Sequence, residues 1–235
     1  MEKPLLKIVS VSKHFGGFTA LSEVSLEIAA GERFGLIGPN GSGKTTLINC
    51  VSGALRNESG SIVFLGKDVT RLPAYRRTRL GIARSFQVPR PFASMSVLEN
   101  LLVPIEYARK GRDEEAMGIL KEIGLADKAG VRSSRLTQVE LRKLELARAM
   151  AAKPRLLISD EAMAGLAPAE VDEVLPILFK LNKAGITIIM IEHIMHAVMR
   201  FSQRVVCLDA GRIICEAAPA EIVRNPDVQK AYLGA

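Results

Sequence analysis

Tryptophan is absent from the 235-residue sequence and aromatic residues make up only 5% of it, so a base-stacking platform for nucleic acid has little to be built from. Long apolar runs are missing as well. The most apolar stretch, Ile186 to Ile191, meets Glu192 and His193 after six residues, far short of the roughly 20 that a membrane-spanning helix needs. Cysteine is sparse: Cys50, Cys207 and Cys215 are odd in number and scattered, which speaks against a disulfide framework. The opening MEKPLLKIVS has no apolar core of a targeting segment, so a reducing cytoplasm is expected. What is present is 48% hydrophobic and 24% charged residues, apolar enough for a sizeable core and too apolar for disorder. The charge is unbalanced, with 32 Lys+Arg against 25 Asp+Glu and a net +7. Much of that excess sits in residues 66–90, where Lys67, Arg71, Arg76, Arg77, Arg79, Arg84 and Arg90 face Asp68 alone. Such a stretch reads as a solvated basic face, or as a flank for anionic headgroups or acidic loops, apart from any phosphate site.

Hydropathy alternates with period two from Leu5 to Val11 and from Glu23 to Ile28, predicting antiparallel strands around Gly16-Gly17. Short apolar runs at Arg33–Ile37, Ser61–Leu65 and Gly81–Phe86 add strands, and Lys44–Val51 reads as a helix. From residue 96 to about 150 helical spacing dominates, as in Leu98, Leu101, Leu102 and Ile105, which predicts a helical insertion over approximately 91–152 of one domain, 1–235. Beyond Pro154, buried-type strands (Leu156–Ser159, Ile186–Ile191, Val205–Leu208) alternate with helices (Ala169–Lys183, Ile194–Phe201), the order of a parallel α/β sheet. Asp209 to Arg212 predicts a closing hairpin.

Gly38-Pro39-Asn40-Gly41-Ser42-Gly43-Lys44-Thr45 matches G-x-x-x-x-G-K-[ST] between a predicted strand and a predicted helix. Glycines let successive backbone N–H groups and the helix N-terminus close around phosphate oxygens. Lys44 is placed for the β- and γ-phosphates and the Thr45 hydroxyl for Mg²⁺, so a nucleoside triphosphate with Mg²⁺ is the expected ligand pair. Leu156-Leu157-Ile158-Ser159-Asp160 is an apolar strand ending in a carboxylate, followed at once by Glu161. Asp160 suits the metal and Glu161 suits polarising an attacking water.

With these motifs in order, the whole chain resembles the ATP-binding subunit of an ABC transporter. GPNGSGKTT, with Thr46 at its end, LLISDE, ARSFQ and IEH carry the resemblance. It implies an α/β P-loop fold with a RecA-like mixed and parallel core, an N-terminal antiparallel β subdomain and a helical insertion. It also implies that Gln87 senses metal and water and couples to membrane subunits, that His193 meets the γ-phosphate, and that Phe15 stacks on adenine. The phrases GIARSFQ, PFASMSVLENLL, IEHIM and NPDVQKAYLG are similar to the branched-chain amino acid importer subfamily. The partners then implied are a second ATPase subunit, head to tail, transmembrane permease subunits and, indirectly, a solute-binding protein, with no nucleic acid. The place implied is the cytoplasmic face of the inner membrane, held peripherally.

One segment departs from the family. Where it carries L-S-G-G-Q, this chain has Leu136-Thr137-Gln138-Val139-Glu140, and Val139 is expected to fill space beside the partner's ATP and to disfavour a positive φ. Ala162 and Ala167 replace a Pro and an acidic or amide residue of the family pattern. The expectation is a homodimer or, in preference, a heterodimer in which this chain's ATP is completed by the partner's signature. A nucleotide-binding subunit that hydrolyses poorly and regulates is the alternative.

Overall fold

The structure, a computed structural model, describes residues 3–109 and 113–233; residues 110–112 of the expected insertion and Gly234 of the C-terminal phrase lie outside it, as do 1–2 and 235. In chain order, β1 (Leu6–Phe15), β2 (Phe18–Ile28) and β3 (Arg33–Ile37) precede α1 (Lys44–Ser52). Next come β4 (Ser59–Phe64), β5 (Lys67–Asp68), α2 (Ala74–Leu80) and β6 (Ile82–Ser85). The helices α3 (Val97–Arg109), α4 (Asp113–Ile123) and α5 (Gln138–Met150) intervene before β7 (Leu156–Asp160). α6 (Pro168–Lys183), β8 (Thr187–Ile191), α7 (Met195–Phe201), β9 (Arg204–Asp209), β10 (Arg212–Ala217), α8 (Pro219–Ile222) and α9 (Pro226–Leu233) follow.

Among the described residues the strands form two sheets. One is antiparallel, in the order β2-β1-β4-β5. β1 and β2 extend to the Gly16-Gly17 turn, further than period-two alternation reaches, because the ladder slips between Ile8 and Val11 and the pattern breaks there; Ser10 and Glu23 take positive φ beside the slip. The other sheet runs β10-β9-β3-β8-β7-β6, parallel except for the β9–β10 hairpin. Its turn residues Ala210 and Gly211 both have φ above zero, as a two-residue hairpin prefers. β7 and β8 are buried along their whole length, which is why they read as continuous apolar runs. Two apolar clusters fill the core. One joins the antiparallel sheet to α1, and the other lies among α3 to α7 and the opposite face of the parallel sheet.

The basic stretch is not one solvated face. Its middle folds as α2, closed by Gly81 in the left-handed region, a helix that composition did not signal. Arg77 turns inward from it and is 1% exposed. Its guanidinium donates to the carbonyls of Leu72, Cys50, Val51 and Thr70 at 2.6–2.9 Å, tying the end of α1 to the segment before α2. Arg77→Met would leave those carbonyls without their donor in a dry site, and the expected loss in urea unfolding is about 3–4 kcal/mol.

Candidate nucleotide site

The parallel sheet sets the positions. β3, β6, β7 and β8 run the same way, so the segments that follow them emerge at one edge: the glycine loop, Gln87, Glu161 and His193 respectively. A cavity of about 240 Å³ at that edge is lined by the loop from Asn40 to Thr46, by Phe15, and by Glu161 and His193. A neighbouring cavity of about 450 Å³ brings Thr45, Gln87, Asp160 and Glu161 together. Of the sequence-predicted residues, Gly38 and Pro39 line neither; they form the loop's entry behind Lys44. Gly43 sits at the start of α1 with φ 104°, and a Cβ there would lie 2.6 Å from the Ala20 carbonyl, so only glycine closes the loop onto the helix.

The ionic groups that the motifs bring to the site, Lys44, Asp160 and Glu161, are already paired within the chain. Lys44 is buried, its ammonium donates to the carbonyls of Gly38 (2.7 Å) and Pro39 (3.0 Å), and desolvation lowers its pKa. Asp160 accepts two bonds from Arg84, whose third donor goes to Asn49 Oδ1 at 2.6 Å. This places one of the seven clustered bases inside the site, a correction to the expectation that the basic stretch lies apart from the nucleotide. Glu161 has φ 48°, an uncommon conformation for a non-glycine residue that is typical of functional positions, and its N–H is held by the Ile191 carbonyl at 2.8 Å. One Glu161 oxygen accepts from the Gln87 amide, and the other meets His193 Nε2 at 3.2 Å.

Oxygen donors converge here: the Asp160 carboxylate, the Thr45 hydroxyl and the Gln87 carbonyl oxygen, whose amide nitrogen is the atom turned to Glu161. Among the described residues no group of three or more His, Cys, Asp or Glu forms a metal cage. A hard cation that keeps water and phosphate oxygens around itself, as Mg²⁺ does, fits such a set. The Ser42 hydroxyl is buried in the loop without a hydrogen-bond partner.

Sequence reasoning passed over several contributors. Phe18, paired with Phe15 across the β1–β2 hairpin, is exposed beside it on the first cavity. Arg142 of α5, 7% exposed, donates to the carbonyls of Gln87 and of Ala164 (2.7 Å), so one guanidinium ties α5 to the loops after β6 and β7. Glu192 is buried and accepts the Met163 N–H at 2.9 Å. Its place one residue before His193 was the available signal. Val139 takes no positive φ, as expected of a β-branched residue, but its side chain packs into the apolar cluster of α3 to α7 and not into space beside a partner's nucleotide. Thr137 and Glu140 do form the reciprocal cap that starts α5.

A family model described as ABC transporter matches residues 21–164. The chain belongs to the ABC transporter family. The fold and family make it an ABC-type ATPase, and a second model, described as branched-chain amino acid ATP-binding cassette transporter, matches residues 212–235. The chain is 37% identical to the probable branched-chain amino acid transport ATP-binding protein LivG of Archaeoglobus fulgidus, covering 98% of this chain and 96% of that one. It is 37% identical to LivG of Salmonella typhimurium, described as a high-affinity branched-chain amino acid transport ATP-binding protein, over 100% and 99% of the two chains. Among solved structures it is similar to the ADP conformation of MJ1267, an ATP-binding cassette of an ABC transporter, with TM-score 0.91, 30% identity and all of both chains covered. The α/β fold expected from the motifs is therefore the fold found.

Burial pushes the Glu192 carboxyl up to about 7, with Glu161 and Asp160 adding repulsion while the Met163 N–H and Arg142 oppose it. The folded cassette thus keeps a proton that the unfolded chain releases near pH 4.5, and stability falls as pH rises between 4.5 and 7. Glu192→Gln keeps an acceptor for Met163 and removes the titration. By urea unfolding the variant should be about 2–3 kcal/mol more stable than wild type at pH 8 and within about 1 kcal/mol of it near pH 5.

Proposed function

We propose that this chain is the ATP-binding and ATP-hydrolysing subunit of an importer for branched-chain or related amino acids, bound peripherally at the cytoplasmic face of the inner membrane. The observation that carries the hydrolytic part is Glu161, held at the end of β7 between Gln87 and His193 and facing the glycine loop. The LivG relatives support the substrate class. No helix among the described residues is long and apolar enough to cross a membrane, so the membrane path is assigned to permease subunits. Beside Gln87, exposed Phe86 and the cleft it shares with Pro104 and Tyr107 offer an apolar seat for a permease loop.

In this reading the glycine loop and Lys44 bind the phosphates and Phe15 with Phe18 holds the base. Asp160, Thr45 and Gln87 would hold Mg²⁺, which neutralises charge on the phosphate oxygens when bound. Glu161 accepts a proton from water as the water oxygen bonds to the γ-phosphorus and the bond to the bridging oxygen breaks. Both of its oxygens are occupied by Gln87 and His193 in the present state, so the carboxylate must be released from one of them before it can meet water. Closure of a head-to-tail dimer is the event to which we assign that release. We keep a different cassette as the partner, because Gln138 and Val139 still replace two glycines of the family signature.

The regulatory alternative draws on the changed signature as a whole; of its residues, Val139 has its side chain in the core, and the intact Glu161 favours hydrolysis. Glu161→Gln in the assembly with permease and partner cassette should lower Mg²⁺-dependent phosphate release by roughly 10²- to 10⁴-fold while nucleotide still binds; an unchanged rate would assign turnover to the partner. Val139→Gly should not raise turnover. It should cost about 2 kcal/mol in unfolding experiments, through the cavity left in the cluster and the glycine placed in a helix.

A further inference from the structure

The C-terminal helix has no part in the site as described so far, although one of its side chains reaches it. Asn225 Oδ1 accepts the N–H groups of Asp227 (2.9 Å) and Val228 (3.2 Å), Pro226 opens the helix, and the Val228 side chain is sunk in the core. These contacts fix α9 in place. One turn beyond Val228, on the same face, stands Tyr232. Its hydroxyl accepts the N–H of Gly38, the first residue of the phosphate loop, at 2.8 Å.

We propose that Tyr232 is a positioning residue of the nucleotide site: its hydroxyl anchors Gly38 while Lys44 gives up the loop's own carbonyls to take phosphate. The proposal rests on the nucleotide reading of the loop. Gly38 has φ 147°, and a Cβ on it would lie 2.1 Å from the Leu208 carbonyl and 2.6 Å from Ser42 Oγ. The residue is wedged between β9 and the loop, so its N–H cannot turn to another partner. In the present state Gly38 is tied at both ends, the N–H by Tyr232 and the carbonyl by Lys44. When Lys44 moves to the phosphates, the Gly38 and Pro39 carbonyls lose their donor and the hydroxyl remains as the anchor on this residue. Losing the hydroxyl therefore costs more in the nucleotide-bound state than in the free one, and the cost appears in affinity. The ring of Tyr232 is exposed, but desolvation of its hydroxyl against the loop pushes the phenol pKa up to about 12, so it stays a neutral acceptor for Gly38 across the working pH range.

Tyr232→Phe in the full chain removes the oxygen and keeps the ring. Calorimetric titration with ADP should show dissociation about 5- to 10-fold weaker than wild type. Hydrogen exchange without nucleotide should show the Gly38 amide losing about tenfold of its protection. Tyr75→Phe, at an exposed tyrosine of α2, should change neither. An ADP affinity within twofold of wild type, or unchanged Gly38 exchange, would overturn the proposal. A lower melting temperature with unaltered affinity would do so too, since that is the mark of a purely structural tie. Wild-type chain that binds no ADP would instead overturn the nucleotide reading, which the exchange measurement does not need.

Discussion

The meeting of the glycine loop with Gln87, Glu161 and His193 depends on four strands running parallel. In an antiparallel sheet the segments after consecutive strands leave at opposite edges, whereas β3, β6, β7 and β8 deliver theirs to one. Residues as far apart in sequence as Lys44, Gln87, Glu161 and His193 become neighbours for that reason alone. The register is fixed by burial: a one-residue slip of β7 or β8 would carry charge or backbone strain into the sheet, because Asp160 and Glu161 stand at the strand's last rungs opposite Ile191. The helices between β6 and β7 do not interrupt this pairing, since the two strands remain partners across them.

The second constraint is electrostatic. A buried ion without a partner is expensive, and a site built for phosphate and metal has to exist without them. Here each required group has found a substitute partner. In the proposed reading, Lys44 uses two loop carbonyls in place of phosphate, Asp160 uses Arg84 in place of a cation, and Glu161 uses Gln87 and His193 in place of water. Ligand binding at such a site is an exchange of partners, not the filling of a hole, which makes the site's affinity sensitive to residues that hold the loop while the exchange occurs.

The glycine loop, Asp160, Glu161 and the strand runs were legible because each rests on a local rule, a motif spacing or a hydropathy period. β3 was read to the residue. What stayed hidden was set by distant neighbours. Nothing in a run of bases separates Arg77, buried against carbonyls of α1, from exposed Arg76 beside it, and nothing local tells Arg84 that Asp160 will be across the strand. α2 was missed for a related cause, since it is short, basic and started without a side-chain cap. The error at Val139 was one of direction. A substitution was read from the ligand side of the helix end, whereas the residue in the first turn of α5 faces the core, and a helix face cannot be inferred from a motif position that in relatives has no side chain.

Arg142 shows how these levels meet. As a long base on a helix read for its apolar spacing it looks like a solvated residue, yet its guanidinium donates to two loop carbonyls, and its Nε is buried without a partner. Carbonyls of the Gln87 and Ala164 loops compete for nothing else on that side chain. A shift of either loop therefore changes hydrogen bonding on the same planar group and is felt at α5, whose N-terminus carries the signature segment. The rigid fork of an arginine makes that connection stiff in a way a lysine's flexible point charge would not. Like Arg77 and Arg84, Arg142 is thus a base whose guanidinium is spent inside the molecule and not on its surface.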